Sequence, residues 1–151
     1  MRRVIILQGV SGSGKTTYAR KLCRDFEDDV PVIVSADHYF TDPEGRYRFN
    51  PSKLDQAHGQ CFRRFIEAMQ LGSASLIIVD NTNAKVSDIA PYMQGAVAYG
   101  YSAEIHRMIC PPDVAAARNI HNVPAAKVVH MAGRIARAEI PPFWKLIEVR
   151  P

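Results

Sequence analysis

Apolar and polar positions alternate in blocks along the chain, and the blocks change period. Val4 to Leu7 is an unbroken apolar run, short enough for a strand buried on both faces. After a glycine-rich stretch, Thr17 to Phe26 places Tyr18, Leu22 and Phe26 at helical spacing. Pro31 to Val34 is a second apolar run and ends at Ser35-Ala36-Asp37. Thr41 to Asn50 is polar, with Asp42-Pro43 and Glu44-Gly45 as turn signals. A long helix is predicted from about Pro51 to Leu71, with Leu54, Ala57, Cys61, Phe62, Phe65, Ile66 and Met69 as its apolar stripe and Gly72 as its stop.

The third run, Leu76 to Val79, ends at Asp80-Asn81-Thr82-Asn83. Val86, Ile89, Met93 and Val97 mark a helix that stops near Gly100. Ala103 to Ile109 predicts a fourth strand, and its mixed pattern suggests a place nearer a sheet edge. Pro111-Pro112 interrupts the chain before a short helix over Asp113 to Arg118. Pro124 opens a last helix with Val128, Met131 and Ile135 inward, closed by Pro141-Pro142. Phe143 to Val149 fits either a final strand or a segment packed over an edge. Strands alternating with helices predict an α/β domain with a mainly parallel sheet and helices on both faces.

The stretch Gly9 to Thr16 satisfies G-x-x-x-x-G-K-[ST] between a strand and a helix, the context a phosphate loop requires. Gly9, Gly12 and Gly14 let backbone N–H groups approach phosphate oxygens, with Ser11 and Ser13 as small residues between them. Lys15 supplies a point charge for the β- and γ-phosphates, Thr16 a hydroxyl for Mg²⁺, and Thr17 stands in the first helical turn. This predicts ATP and magnesium binding within a P-loop NTPase-type three-layer sandwich.

Ligands of open α/β sheets sit beyond the carboxyl ends of the strands. Asp80, after an apolar run, is the candidate second magnesium ligand. Asp37 is then free to take a proton from an attacking hydroxyl. Spacing alone leaves the two roles interchangeable. His58 and Cys61 lie three apart on a helix, but two side chains do not make a metal site, and packing or hydrogen bonding is the expected role.

The 151 residues suit one domain, 1–151, and no apolar run reaches the roughly 20 residues of a membrane span. A cytoplasmic setting is the default expectation. Cys23, Cys61 and Cys110 are odd in number and scattered, which argues for reduced thiols. A formal net charge of +4 permits a polyanionic partner without requiring one.

The phosphate loop, Ser35-Ala36-Asp37-His38-Tyr39-Phe40, Asp80-Asn81-Thr82-Asn83 and Arg118-Asn119-Ile120-His121-Asn122-Val123-Pro124 together resemble the polynucleotide-kinase-like P-loop kinases. That group includes the kinase domain of phage polynucleotide kinase. It also includes the kinase-like domain of some eukaryotic ubiquitin-ligase-binding proteins, which shares Gly45, Tyr47, Phe49, Asn50 and Ala57-His58. The resemblance runs from about Val4 to Arg134. It implies a catalytic base at Asp37 and a short lid over about 113–124 carrying an arginine for the transferring phosphoryl group, best matched by Arg118, with Arg134 as a weaker match. It implies transfer of the ATP γ-phosphate to a nucleic-acid hydroxyl, DNA ahead of RNA, with a 5′-OH end as the usual target.

One position departs from the group. Where the phage enzyme holds a substrate phosphate with an arginine, this chain has Phe40, which could stack on a base. Arg46 and Arg48 are candidates for the missing phosphate contacts, and Asn81 and Asn83 for further substrate contacts. A hydroxymethylated pyrimidine in phage DNA, such as 5-hydroxymethyluracil, and a nucleoside or other small molecule are the alternative acceptors.

Overall fold

The computed structural model describes residues 1–150. Five strands form one parallel sheet: β1 Arg3–Gln8, β2 Val32–Val34, β3 Leu76–Asp80, β4 Ser102–Met108 and β5 Lys145–Val149. Their spatial order is β2-β3-β1-β4-β5. The first strand is thus central, with β3 and β4 as its parallel neighbours. Six α-helices connect and cover them: α1 Lys15–Asp25, α2 Asp37–Phe40, α3 Leu54–Leu71, α4 Val86–Ala98, α5 Pro112–Arg118 and α6 Ala125–Arg137.

The apolar runs of β1 and β3 are continuous because both of their faces are covered. Val4, Ile6, Ile77 and Val79 face α3 and α4, where they pack with Cys61, Phe65 and Ile89. Ile5, Leu7, Leu76 and Ile78 face α1, against Ala19 and Leu22. Neither strand could turn a face to water without exposing two large aliphatic side chains, each worth roughly 1.5–3 kcal/mol when buried. A third cluster joins Val10 of the phosphate loop to Ala84, Ala115, Val128 and Ile135. This seats α5 and α6 at the carboxyl end of the sheet.

Several boundaries differ from the expectation, each for a local reason. The Phe143–Val149 segment resolves as a strand: β5 pairs with β4 from Glu104↔Lys145 to Met108↔Val149. Consequently β4 is internal. Its mixed pattern reflects two polar side chains satisfied beneath the sheet, since His106 bonds Tyr18 and Glu104, and Glu104 bonds Lys145. The helix expected from Pro51 begins as a 3-10 turn over Pro51–Lys53, with the Asn50 side chain accepting from the Ser52 N–H, before α3 proper. The last helix ends at Arg137, before Pro141-Pro142. Asp37 stands not on a strand end but in the first turn of α2.

Candidate active site

A cavity of about 1320 Å³ opens over the carboxyl ends of β1, β2 and β3. The phosphate loop forms its floor. Gly12 and Gly14 adopt φ of +82° and +96°. These are left-handed conformations that ordinary residues enter at a cost of about 1–2 kcal/mol. Gly9 is needed for a different reason: a Cβ there would stand 2.7 Å from the Ser13 hydroxyl and 2.9 Å from Met108. Ser13 is buried against this turn and its hydroxyl has no partner, so it acts as a small residue that lets the loop close.

The Lys15 ammonium donates to the Val10 carbonyl at 2.9 Å. Burial pushes its pKa down, opposed by the carboxylates of Asp80 and Asp37. A buried cation on the phosphate loop beside two carboxylates is a setting that bound phosphate would relieve. Thr16 donates its hydroxyl to Asp80 Oδ2 at 3.1 Å. Burial is the main cause that raises the Asp80 pKa, partly offset by Lys15 and by the Thr16 hydrogen bond. Thr16 and Asp80 therefore form one oxygen pair beside Lys15. Among the described residues, no group of three or more His, Cys, Asp and Glu is placed to hold a metal. The donor set fits a hard cation that keeps most of its water and takes phosphate oxygens.

Asn81 and Asn83 line the same cavity, but their polar atoms are committed to the scaffold. Asn81 Oδ1 accepts from the Ala36 N–H at 2.8 Å, and its amide nitrogen reaches Cys61 Sγ at 3.5 Å. Asn83, at φ +49°, donates to the Leu7 carbonyl at 2.7 Å. Both hold the strand ends in register around the phosphate loop. Cys61 also accepts from Tyr92 and is buried, so His58 and Cys61 do not act as a pair. His58 is exposed on the cavity wall.

The second half of the cavity is aromatic. Asp37 opens α2, and its Oδ1 accepts from the Tyr47 hydroxyl at 3.2 Å. Burial, then the Asp37 charge, push the Tyr47 pKa up, so the hydroxyl stays protonated and donating. Phe40 is 6% exposed and packs edge-on against Tyr39, Tyr47 and Phe49. It is both a core residue and part of the cavity wall. Phe62 and Tyr92 continue that wall.

Helix α5 and the segment from Asn119 to Pro124 border the cavity on the phosphate-loop side. A Cβ on Gly12 would overlap the Ala115 carbonyl oxygen, so α5 rests directly on the phosphate loop. Ser11 donates to Asn119 Oδ1 at 3.2 Å. Arg118 ends α5, exposed, and lines the cavity. Thr17 lines it as well, one residue beyond the Thr16 hydroxyl.

Three of the sequence candidates are not brought to this site. Arg46 pairs with Asp42 at 3.1 Å and Glu44 at 3.6 Å, and Arg48 pairs with Asp42 at 3.6 Å. The acidic turn next to them neutralises what alone reads as a basic patch. Arg134 lies with Arg137 and Lys85 along a separate notch between α6 and the start of α4. Conversely, the pairing of Tyr47 and His121 with Asp37 was not legible. His121 Nε2 lies 3.6 Å from Asp37 Oδ2, and its ring sits 4.1 Å from that of Tyr47. The only sequence signal was their presence in the stretches shared with the resembling group.

A parallel sheet in this order, with an intact phosphate loop after its central strand, defines the class of P-loop nucleotide-binding folds. The chain belongs to the AAA domain family (AAA_33), which it matches over residues 4–131. A putative bifunctional polynucleotide kinase/RNA ligase of Autographa californica nuclear polyhedrosis virus is 27% identical over 107 residues, covering 66% of this chain and 15% of that protein. Among solved structures, the Pnkp1/Rnl/Hen1 RNA repair complex contains a chain that aligns with 89% of this one, at 18% identity and a TM-score of 0.71. This chain spans 44% of it. A gluconokinase from Sinorhizobium meliloti 1021 aligns over 99% of this chain and 84% of its own, at 19% identity and a TM-score of 0.63. These structural likenesses carry the fold. Among the described residues, no helix is long and apolar enough to cross a membrane.

Proposed function

We propose that the protein transfers the γ-phosphate of ATP to a hydroxyl of a nucleic acid, with a polynucleotide 5′-OH end as the foremost acceptor. The observation that carries this reading is the position of Asp37. Its carboxylate shares one cavity with Lys15 and the phosphate loop, close enough for its charge to act on the Lys15 ammonium. A base on the acceptor side and a cation on the phosphate side are what in-line transfer needs. The likeness to a polynucleotide kinase/RNA ligase supports the choice of acceptor.

In this reading the loop N–H groups, Gly12, Gly14 and Lys15 hold the β- and γ-phosphates, with Ser11 at the lid side of the loop. Thr16 and Asp80 would hold Mg²⁺, which would neutralise charge on the phosphate oxygens when bound. Asp37 accepts the hydroxyl proton, and Tyr47 keeps the carboxylate oriented. Arg118 stands on the lid, where it can reach the transferring group; such arginines contribute about 10³- to 10⁵-fold in related phosphoryl transfer.

A second acceptor is favoured by the composition of the wall. Among the cavity-lining residues, the cations Lys15, Lys21, Arg24, Arg118, Lys127 and Arg150 come from α1, the lid, α6 and the chain end. The segments from Ala36 to Phe62 and from Asp80 to Tyr92 contribute none. An uncharged planar ring suits that side better than a phosphorylated group does. A hydroxymethylated pyrimidine drawn out of a DNA strand is such a ring.

Incubation with γ-labelled ATP and a panel of acceptors tests both readings. The panel holds oligonucleotides with free 5′-OH ends, end-blocked duplexes containing 5-hydroxymethyluracil, nucleosides and gluconate. Label confined to free ends supports the first reading. Label inside end-blocked DNA supports the second. Label only on a small molecule overturns both.

A further inference from the structure

We propose that His121 is a positioning residue: it orients the Asp37 carboxylate when the lid is seated on the phosphate loop, so nucleotide binding and base alignment are coupled through one side chain. The proposal rests on the reading of Asp37 as the base.

The lid tip is built to project this residue backward across the cavity. Asn119 caps α5 and bonds in three directions. Its Oδ1 accepts from the Ser11 hydroxyl and, at 3.0 Å, from the His121 N–H, while its amide donates to the Val123 carbonyl. Asn122 follows at φ +55°, a left-handed turn that asparagine tolerates better than most residues. The result is a tight turn anchored to the phosphate loop at one end. From it the His121 ring reaches Asp37 Oδ2 at 3.6 Å and lies against the Tyr47 ring at 4.1 Å.

A continuous series therefore runs Ser11, Asn119, His121, Asp37, Tyr47. It begins where the γ-phosphate is held and ends where the acceptor is held. Tyr47 takes one carboxylate oxygen and His121 lies beside the other. With two flanking groups the carboxylate plane is set, and lone pairs remain free for an acceptor O–H. Tyr47 holds one carboxylate oxygen whether or not the lid is seated. Placing the second partner on the lid makes full alignment conditional on lid closure. The step itself balances without His121: the acceptor oxygen bonds to the γ-phosphorus, the bond to the β–γ bridging oxygen breaks, ADP leaves with the electron pair, and the proton passes to Asp37.

Two measurements test this. In steady-state transfer, His121→Phe keeps a ring against Tyr47 but loses the ring nitrogen. It is expected to lower kcat roughly 10- to 100-fold, within the loss that a misplacement of about 1 Å can cause. KM for ATP rises by a smaller factor than kcat falls, because the contact also favours the seated lid, and His121→Gln, which retains a donor, recovers part of the loss. A His121→Phe enzyme within twofold of wild-type kcat, beside an inactive Asp37→Asn enzyme, overturns the proposal and leaves Asp37 as base. The second measurement needs no acceptor. It is the rate of tryptic cleavage at Arg118, on the lid, in the full chain with a non-hydrolysable ATP analogue. His121→Phe and Asp37→Asn are each expected to speed cleavage, and the double variant to be no faster than either. Cleavage unchanged in both single variants, or fully additive in the double, overturns the proposal whatever the acceptor is. If wild-type protein transfers phosphate to no acceptor while the cleavage cycle shows coupling, the base reading fails and the lid contact survives only as a structural latch, which also overturns the positioning role.

Discussion

Substituting alanine at two glycines separates the lid contact from backbone strain. Gly12 and Gly45 have nearly identical left-handed backbones, at φ +82° and +83°. Each alanine variant meets the same conformational penalty of roughly 1–2 kcal/mol. Their surroundings differ. A Cβ on Gly45 has nothing within 4 Å, whereas one on Gly12 would overlap the Ala115 carbonyl oxygen and lie 2.9 Å from the Ala115 carbonyl carbon and 3.1 Å from the Asn119 nitrogen. These are backbone atoms of α5 and its cap, so no side-chain rotation relieves them. Overpacking of this kind costs about 1–3 kcal/mol more. For a chain of this length each kcal/mol shifts Tm by about 2–4 °C. Gly12→Ala should therefore melt about 2–12 °C below Gly45→Ala in thermal unfolding followed by circular dichroism. It should also lose most of its stabilisation by ATP, because either the loop or the lid must move. Gly45→Ala should keep the full ATP shift. Equal melting temperatures for the two variants would refute the seating of α5 on the phosphate loop.

Three further outcomes follow from the site and the sheet. Lys15→Met should abolish the thermal shift that ATP produces. In wild type, ATP at 100 times its Kd contributes about 2.7 kcal/mol, which thermal-shift titration can follow. Asp80→Asn should leave the nucleotide-free protein no less stable than wild type, since burial already disfavours that carboxylate, while sharply weakening the magnesium dependence of ATP binding in calorimetry. The third outcome concerns pH. Burial lowers the His106 pKa below its ordinary 6.5, so the unfolded chain takes up the proton first. Stability from this group is complete above about pH 6.5 and falls as the pH drops through the folded value. His106→Gln should flatten that part of the Tm–pH profile, and an unchanged profile would count against the buried Tyr18–His106–Glu104 arrangement.

The sheet was legible where burial is two-sided. Val4–Leu7 and Leu76–Val79 are apolar at every position because each face meets a helix, and no other element tolerates that pattern so well. The phosphate loop was legible because backbone geometry restricts residue type at Gly12 and Gly14. The mixed pattern of β4 fits its place one strand from the sheet edge, and the partners of its polar residues, Tyr18 and Lys145, emerge only in the fold. The basic pair Arg46 and Arg48 misled for the opposite reason: local carboxylates at Asp42 and Glu44 absorb their charge. His121 was illegible as a partner of Asp37 because the two, far apart in the chain, meet only through the tertiary fold. Contacts between distant segments leave no local period in a sequence.

In the proposed reaction Asp37 activates an acceptor hydroxyl for attack on ATP held by the phosphate loop. The most direct measurement is single-turnover transfer of labelled γ-phosphate to a 5′-OH oligonucleotide, comparing wild type with Asp37→Asn at matched, calorimetrically verified ATP occupancy. Wild type is expected to form product, and Asp37→Asn to do so about 10²- to 10⁴-fold more slowly, the range expected for loss of a general base. Equal rates for the two proteins, with ATP bound to both, would contradict this role of Asp37.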